Sequence, residues 1–283
     1  MSWQDAKERL KKVKEERLRR SDEVVELWES ALSDSTGKLG DEVWTIYEQV
    51  CVAALDCDRL DIAKYCVAKL DGRFPSSNRV KRLGGMVLEA EGKFDDATMM
   101  YEALIKADET DTLARKRIIA ILKAEKDYVK AIEELNEYLK VFQNDQEAWL
   151  ELVELYCHEL DYHKASFCME EALIHHPHNH LYHQRYAEIK YALGGYDSIE
   201  TARVHFAKAT QLCRTNVDAL YGMCICASYL ANSQKSTAQK RRDNQRFSEW
   251  AANQLLEKHS NSLGVEGTSK IKNISLLLDN LQI

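Results

Sequence analysis

Small and apolar residues recur along this chain with a period of 34. Ala63, Ala97, Ala131 and Ala165 form one column, Leu60, Phe94, Tyr128 and Tyr162 a second, and Val67, Tyr101, Leu135 and Met169 a third. Within each period the three columns lie three and four residues apart, the spacing of one helix face. Pro75 and Pro177 stand in matching breaks three periods apart (177 − 75 = 102). The pattern predicts an all-α chain with four consecutive 34-residue units. A fifth unit spans 180–216, displaced by three residues at "GGYDSIE" so that Ala202, Phe206 and Ala209 resume the pattern, and a sixth starts near Val217.

The flanks read differently. Residues 1–43 are expected to form N-terminal capping helices, with Ser21, followed by Asp22 and Glu23, as the N-cap that separates a charged first helix from "EVVELWESAL". The repeat array then occupies 44–231. Over 232–283 the polar, basic "NSQKSTAQKRRDNQRF" predicts a loop interrupting the sixth unit and leading to a late helix. Ile274, Leu277, Leu278 and Leu281 predict a C-terminal capping helix over 269–283.

Composition supports the helical reading: 283 residues hold two prolines and eleven glycines, with 45% hydrophobic and 30% charged residues. That leaves little turn chemistry for a β-sandwich. The charged N-terminus lacks a secretory pattern, and the longest apolar run, from Ala219, is shorter than the ~20 residues that span a bilayer as a helix. A cytoplasmic chain without a membrane span is expected. Its eight cysteines form no CxxC pair and read as reduced, structural residues, so the "NIS" sequon at Asn273 reads as a chance match.

A net charge of −7 and a pI near 5.8 disfavour nucleic acid as a partner. Residues 7–20 nevertheless carry eight Lys or Arg against three Glu. This stretch is either a solvated helix face or an attraction to an anionic membrane surface or acidic partner.

Candidate chemistry is sparse. "HHPHNHLYH" gathers His175, His176, His178, His180 and His183 around Pro177, with His178 and His180 placed in the connection. No two share the i, i+4 spacing of a preformed site, which favours a turn and packing role over a metal. In "HELDYH" the histidines are five apart (163 − 158), not the four a zincin helix needs. Gly84-Gly85 and Gly194-Gly195 lack nucleotide-binding context. No catalytic residue, metal ligand or cofactor site is expected.

Trp149, Leu152 and Tyr156 ahead of Tyr162, Ala165, Ala172 and Pro177 resemble the tetratricopeptide repeat (TPR) signature. The resemblance implies a TPR-type α-solenoid of antiparallel helix pairs, with helical caps at both ends, and sets the register of the four units as 44–77, 78–111, 112–145 and 146–179. Ala63, Ala97, Ala131, Ala165 and Ala202 would fill the tight crossing in each pair, with Trp149, Tyr162, Pro75 and Pro177 as packing and turn residues. In this family first-helix positions line a partner-binding groove, and here they include Arg79, Arg82, Met86, Lys116 and Lys123, then Glu147, Leu150 and Glu154. The lining changes sign along the chain, and such charge can orient an extended peptide. Taken as solvent-facing, Arg82 and Lys116 should tolerate reversal to Glu without loss of folding. The chaperone-tail clamp of some TPR proteins is not matched, because Ala120 and Leu83 replace its polar residues.

"DEVWTIYEQVCVAALD", "NEYLKVFQNDQEAWLELVELY", "DYHKASFCMEEAL" and "PHNHLYHQRYAEIKYALGG" further resemble the TPR family that supplies subunit 2 of the endoplasmic reticulum (ER) membrane protein complex. This resemblance implies a non-catalytic scaffold, peripheral on the cytoplasmic face of the ER membrane. It would hold cytosolic segments of membrane-spanning subunits in its groove, dock a soluble subunit and support insertion of transmembrane segments. The alternatives are a TPR adaptor or auxiliary subunit of a soluble complex and, less in keeping with the residues, a metal-dependent enzyme.

Overall fold

A computed structural model describes residues 2–16 and 18–260. The expected helix over 269–283 and the Asn273 sequon lie outside the described residues. Among those residues the chain is all-α. It divides into two compact units at Asp127 and Tyr128, each described by itself below.

The first unit contains α1 (Trp3–Glu15), α2 (Ser21–Leu27), a π-helical turn (Trp28–Leu32) running into a 3-10 segment (Ser33–Lys38), α3 (Glu42–Asp56), α4 (Leu60–Arg73), α5 (Asn78–Ala90), α6 (Phe94–Ala107) and α7 (Thr112–Ala124). The second contains α8 (Tyr128–Val141), α9 (Gln146–His158), α10 (Tyr162–His175), α11 (His180–Leu193), α12 (Tyr196–Leu212), α13 (Val217–Asn232) and α14 (Ala238–Ser260). The alanine column is fully buried: Ala63, Ala97, Ala131, Ala165 and Ala202 are all 0% exposed. Tyr101, Leu135 and Met169 of the third column are equally buried, while Val67 packs at the edge of the first core.

Polar punctuation repeats as strictly as the core. The N-caps of α7, α9, α11 and α13 are Asp111, Asp145, Asn179 and Asn216, spaced 34, 34 and 37. Their side chains accept from the backbone N–H of Ala114 (3.0 Å), Ala148 (3.3 Å), Leu181 (3.0 Å) and Ala219 (3.0 Å), meeting donors that a helix start leaves orphaned. At the other end of each first helix the chain turns through a left-handed residue. These are Asp58 (φ 57°), Gly92 (76°), Lys126 (64°), Leu160 (58°) and Gly194 (72°), at intervals of 34 throughout. The next amide closes the turn at the first four: Arg59 to Ala54 (2.7 Å), and Lys93 to Leu88, Asp127 to Leu122 and Asp161 to Tyr156 (each 2.9 Å).

Three expectations change. Ser21 is not an N-cap: Arg20 holds that position without a side-chain cap, and Ser21, the first helical residue, donates its hydroxyl to Asp56 (2.7 Å). A carboxylate on α3 outcompetes the local backbone for that hydroxyl. "NSQKSTAQKRRDNQRF" is mostly helix, because α14 begins at Ala238 and the link covers only 233–237. Its buried face is made of Asn244, Ser248, Ala251, Ala252 and Leu255, small or polar residues that raise no apolar periodicity. Ser248 donates to the Cys224 carbonyl (3.2 Å), which draws α14 close against α13. Finally, His180 is the first residue of α11 rather than part of the connection.

Candidate partner-binding site

In the first unit the expected lining residues are largely engaged with other side chains of the fold. Arg79 on α5 pairs with Glu48 on α3, and Arg82 donates from Nη1 to Asp111 Oδ1 at 2.9 Å. The Arg82 side chain is 22% exposed and Asp111 8%, and the same Asp111 oxygen caps α7. Arg82 is therefore a structural cation and not the solvent-facing group expected, because its partner is the N-cap of α7, brought beside α5 only by the fold. Met86 packs half-buried against the first core. Lys116 and Lys123 are half-buried, and neither is free.

Residues one repeat earlier complete the surface. Two hollows, of about 410 and 230 Å³, share Thr45 and Glu48 on α3 and Arg79 on α5. Val13, Leu18, Val24 and Val52 wall the larger; Trp44, Phe74 and Leu83 wall the smaller. The Glu48–Arg79 pair crosses the furrow where they meet. Thr45, Glu48 and Val52 occupy the same first-helix register positions as Arg79, Arg82 and Met86 (each 34 lower), so extending the register backward would have found them.

In the second unit Glu147 is exposed, Leu150 half-buried, and Glu154 accepts both bonds of a bidentate pair from Arg185 Nη2 (2.9 and 2.9 Å). The separation of 31 residues equals that of Glu48 and Arg79 (79 − 48 = 31), one period less about a helical turn. Leu181 and Tyr191 leave apolar surface exposed on α11. Trp149 anchors the start of α9 by donating Nε1–H to the Gln143 carbonyl (2.8 Å), its ring edge-on to Phe167. Tyr162 opens α10, and Pro75 and Pro177 lie in the connections α4–α5 and α10–α11.

The histidine tract serves its own turn. His183 Nε2 lies 3.0 Å from the Pro177 carbonyl and its Nδ1 3.0 Å from His205 Nδ1, an arrangement met when His183 donates to the carbonyl and accepts from His205. His180 Nδ1 sits 3.0 Å from Asn216 Nδ2. In "HELDYH", His158 ends α9 and Tyr162 starts α10, so the turn separates the two histidines. Among the described residues no three His, Cys, Asp or Glu side chains converge on a metal position. All eight cysteines are free, and burial pushes the Cys51, Cys66, Cys168 and Cys226 thiols up to about 12, which suppresses the reactive thiolate.

Burial also pulls His205 down to about 4 from its ordinary 6.5; His183 and Lys190 add to the effect and Glu170 opposes it. The folded chain then binds fewer protons at this site than the unfolded chain between those two values. Its contribution is complete above pH 6.5 and declines as pH falls towards 4, costing roughly 1 kcal/mol at about pH 5.5. Thermal melting at pH 7.5 and 5.5 should reveal the slope, and His205→Asn, which keeps a donor near Nδ1, should flatten it.

Comparison with known proteins matches these features to one family. The model of the EMC2 TPR-like repeat domain fits residues 61–202. ER membrane protein complex subunit 2-A of Xenopus laevis is 43% identical, covering 100% of this chain and 96% of its own. Subunit 2 from Dictyostelium discoideum is 30% identical over 90% of this chain and 82% of its own. The crystal structure of the C-terminal part of a TPR repeat-containing protein from Cytophaga hutchinsonii shares the fold at a TM-score of 0.62 and 14% identity, covering 95% of this chain and 99% of that one. With a buried alanine column, a 34-residue cap period and full-length similarity of this order, the chain belongs to the ER membrane protein complex subunit 2 family.

Proposed function

We propose that this chain acts as a non-catalytic scaffold on the cytoplasmic face of the ER membrane. It holds cytosolic segments of membrane-spanning subunits against its first-helix surface, docks a soluble subunit, and so supports insertion of transmembrane segments by the assembled complex. The observation that carries this reading is the furrow of the first unit, where two apolar-walled hollows meet at the Glu48–Arg79 pair. Such a surface suits a segment that seats apolar side chains on either side of a polar one, the charged pair fixing its direction. No helix among the described residues is long and apolar enough to cross a membrane, and partner subunits supply the membrane-spanning segments in this reading.

The test places a photo-crosslinking residue at Thr45 in the full chain, assembled in cells and solubilised in detergent. Crosslinks to membrane-spanning subunits are the expected result. Crosslinks confined to soluble proteins would make the chain a soluble-complex adaptor instead.

A further inference from the structure

Two stretches of this chain are rich in Lys and Arg, residues 7–20 and 235–246, and they differ in how many of their cations are paired. In the first, six of the eight cations are paired within the unit. Lys7 pairs with Glu42 (2.6 Å), Arg9 with Glu23, Lys11 with Glu15 (3.9 Å) and Lys12 with Glu16 (3.7 Å). Arg19 pairs with Asp56 (2.6 Å) and Arg20 with Glu23 (3.3 Å). In the second, Arg242 and Arg246 are exposed on α14 and have no hydrogen-bond or ion-pair partner among the described residues. Neighbouring groups do not neutralise them. Asp243 accepts from Gln239 (3.2 Å) and Lys240 is drawn to Glu200 (2.7 Å), leaving the exposed Glu249 as the remaining acid on this part of the helix.

Trp250, 48% exposed, stands one turn beyond Arg246, so Arg242, Arg246 and Trp250 form a single i, i+4, i+8 stripe about 12 Å long. Its outward direction is enforced by the buried Asn244, Ser248, Ala251, Ala252 and Leu255 on the opposite face. Beside it lies Phe247, 40% exposed beneath the Arg203 guanidinium (4.8 Å). Phe247 and Trp250 border a hollow of about 830 Å³ floored by Leu220 and Met223, with Arg214, Glu257 and Lys258 as its charged lining residues.

We propose that the Arg242–Arg246–Trp250 stripe is a contact for an anionic phospholipid surface. Guanidinium forks match phosphate oxygens, an exposed indole suits the headgroup boundary, and the Leu220–Met223 floor of the mixed hollow behind the rings receives the first carbons of an acyl chain. Outward-pointing cations on a helix whose backbone amides are already used within it suit a diffuse layer of negative charge better than a directional peptide. The contact lies away from the Glu48 furrow in the sequence, involves none of its residues, and needs no partner subunit.

Flotation of the purified full chain with phosphatidylcholine vesicles, with and without phosphatidylserine, tests the proposal. The parent should float with the phosphatidylserine vesicles, release as salt rises, and ignore pure phosphatidylcholine. Arg242→Glu with Arg246→Glu should weaken binding about tenfold or more while melting like the parent, and Trp250→Ala should weaken it further where Trp250→Phe does not. A parent that fails to float, or a double reversal that floats as well as the parent, would overturn the assignment. So would loss of flotation on reversing Lys11 and Lys12 alone, which would move the contact to α1. A double reversal that spares flotation yet loses a protein partner on co-purification would make the stripe a protein-docking site and likewise sink the lipid contact.

Discussion

Arg82→Glu should unfold the first unit more readily than any nearby charge change, lowering stability by about 3 kcal/mol. The new carboxylate would face Asp111, which is 8% exposed and whose Oδ1 also accepts from the Ala114 amide. Removing one member of a buried pair leaves the other charge uncompensated, typically at ~3–5 kcal/mol; the residual 22% exposure of Arg82 places it at the lower end. Asp111 can escape repulsion only by turning away, which uncaps α7. Arg79→Glu is the matched control. Arg79 is 67% exposed in its pair with Glu48, and exposed pairs contribute little, so this variant should melt like the parent. Chemical denaturation of both variants, with co-purification of partners, separates folding from binding: Arg79→Glu should lose partners while folded. Equal melting of Arg82→Glu and the parent would show that the Asp111 pair carries no stability.

Alanine substitutions at two adjacent glycines of α5 should have opposite effects. Gly→Ala inside a helix normally gains up to ~1 kcal/mol from backbone entropy. A Cβ at Gly84 would meet Met100 Sδ at 3.6 Å, an ordinary contact, so that gain should appear. A Cβ at Gly85 would lie 2.5 Å from Tyr101 Cζ and 2.7 Å from its hydroxyl. Tyr101 cannot move aside cheaply. It is fully buried, and its hydroxyl donates to Glu89 Oε1 at 2.5 Å, which itself accepts from Arg117 Nε at 2.9 Å. Overpacking and a disturbed charged hydrogen bond outweigh the propensity gain, for a net loss of about 2 kcal/mol. Melting curves of the two variants decide it, and a stabilised Gly85→Ala would mean that the ring relaxes freely.

The period of 34 was legible because the residues that mark it, alanine at the crossings and proline between pairs, have few alternative uses. The left-handed turn column was not, since Lys126 and Leu160 carry no sign of positive φ. α14 was hidden for the converse reason: its core face is Asn244, Ser248 and Ala251, while Phe247 and Trp250 point outward. At the candidate site, register identified Arg79 and Arg82 as first-helix surface positions. It could not show that Arg82 is tied down, because Asp111 lies 29 residues away (111 − 82), at the cap of α7. Glu48 and Glu154 likewise meet their arginines only once neighbouring helices are placed side by side.

The turn column bears on how such a chain can change in length. Because the left-handed residue ends each first helix at a fixed interval, from Asp58 to Gly194, those helices keep 13 or 14 residues from α5 to α11. The three additional residues of the fifth unit fall after that stop, where α12 runs to 17 residues while α4, α6, α8 and α10 each have 14. Three residues are close to one helical turn, so the insertion returns Ala202 to a buried position and leaves the following cap, Asn216, free to start α13. Second helices are thus where this array can lengthen by a turn at a time, the mismatch falling inside α12 between Tyr196, still 34 residues after Tyr162, and Ala202, 37 after Ala165.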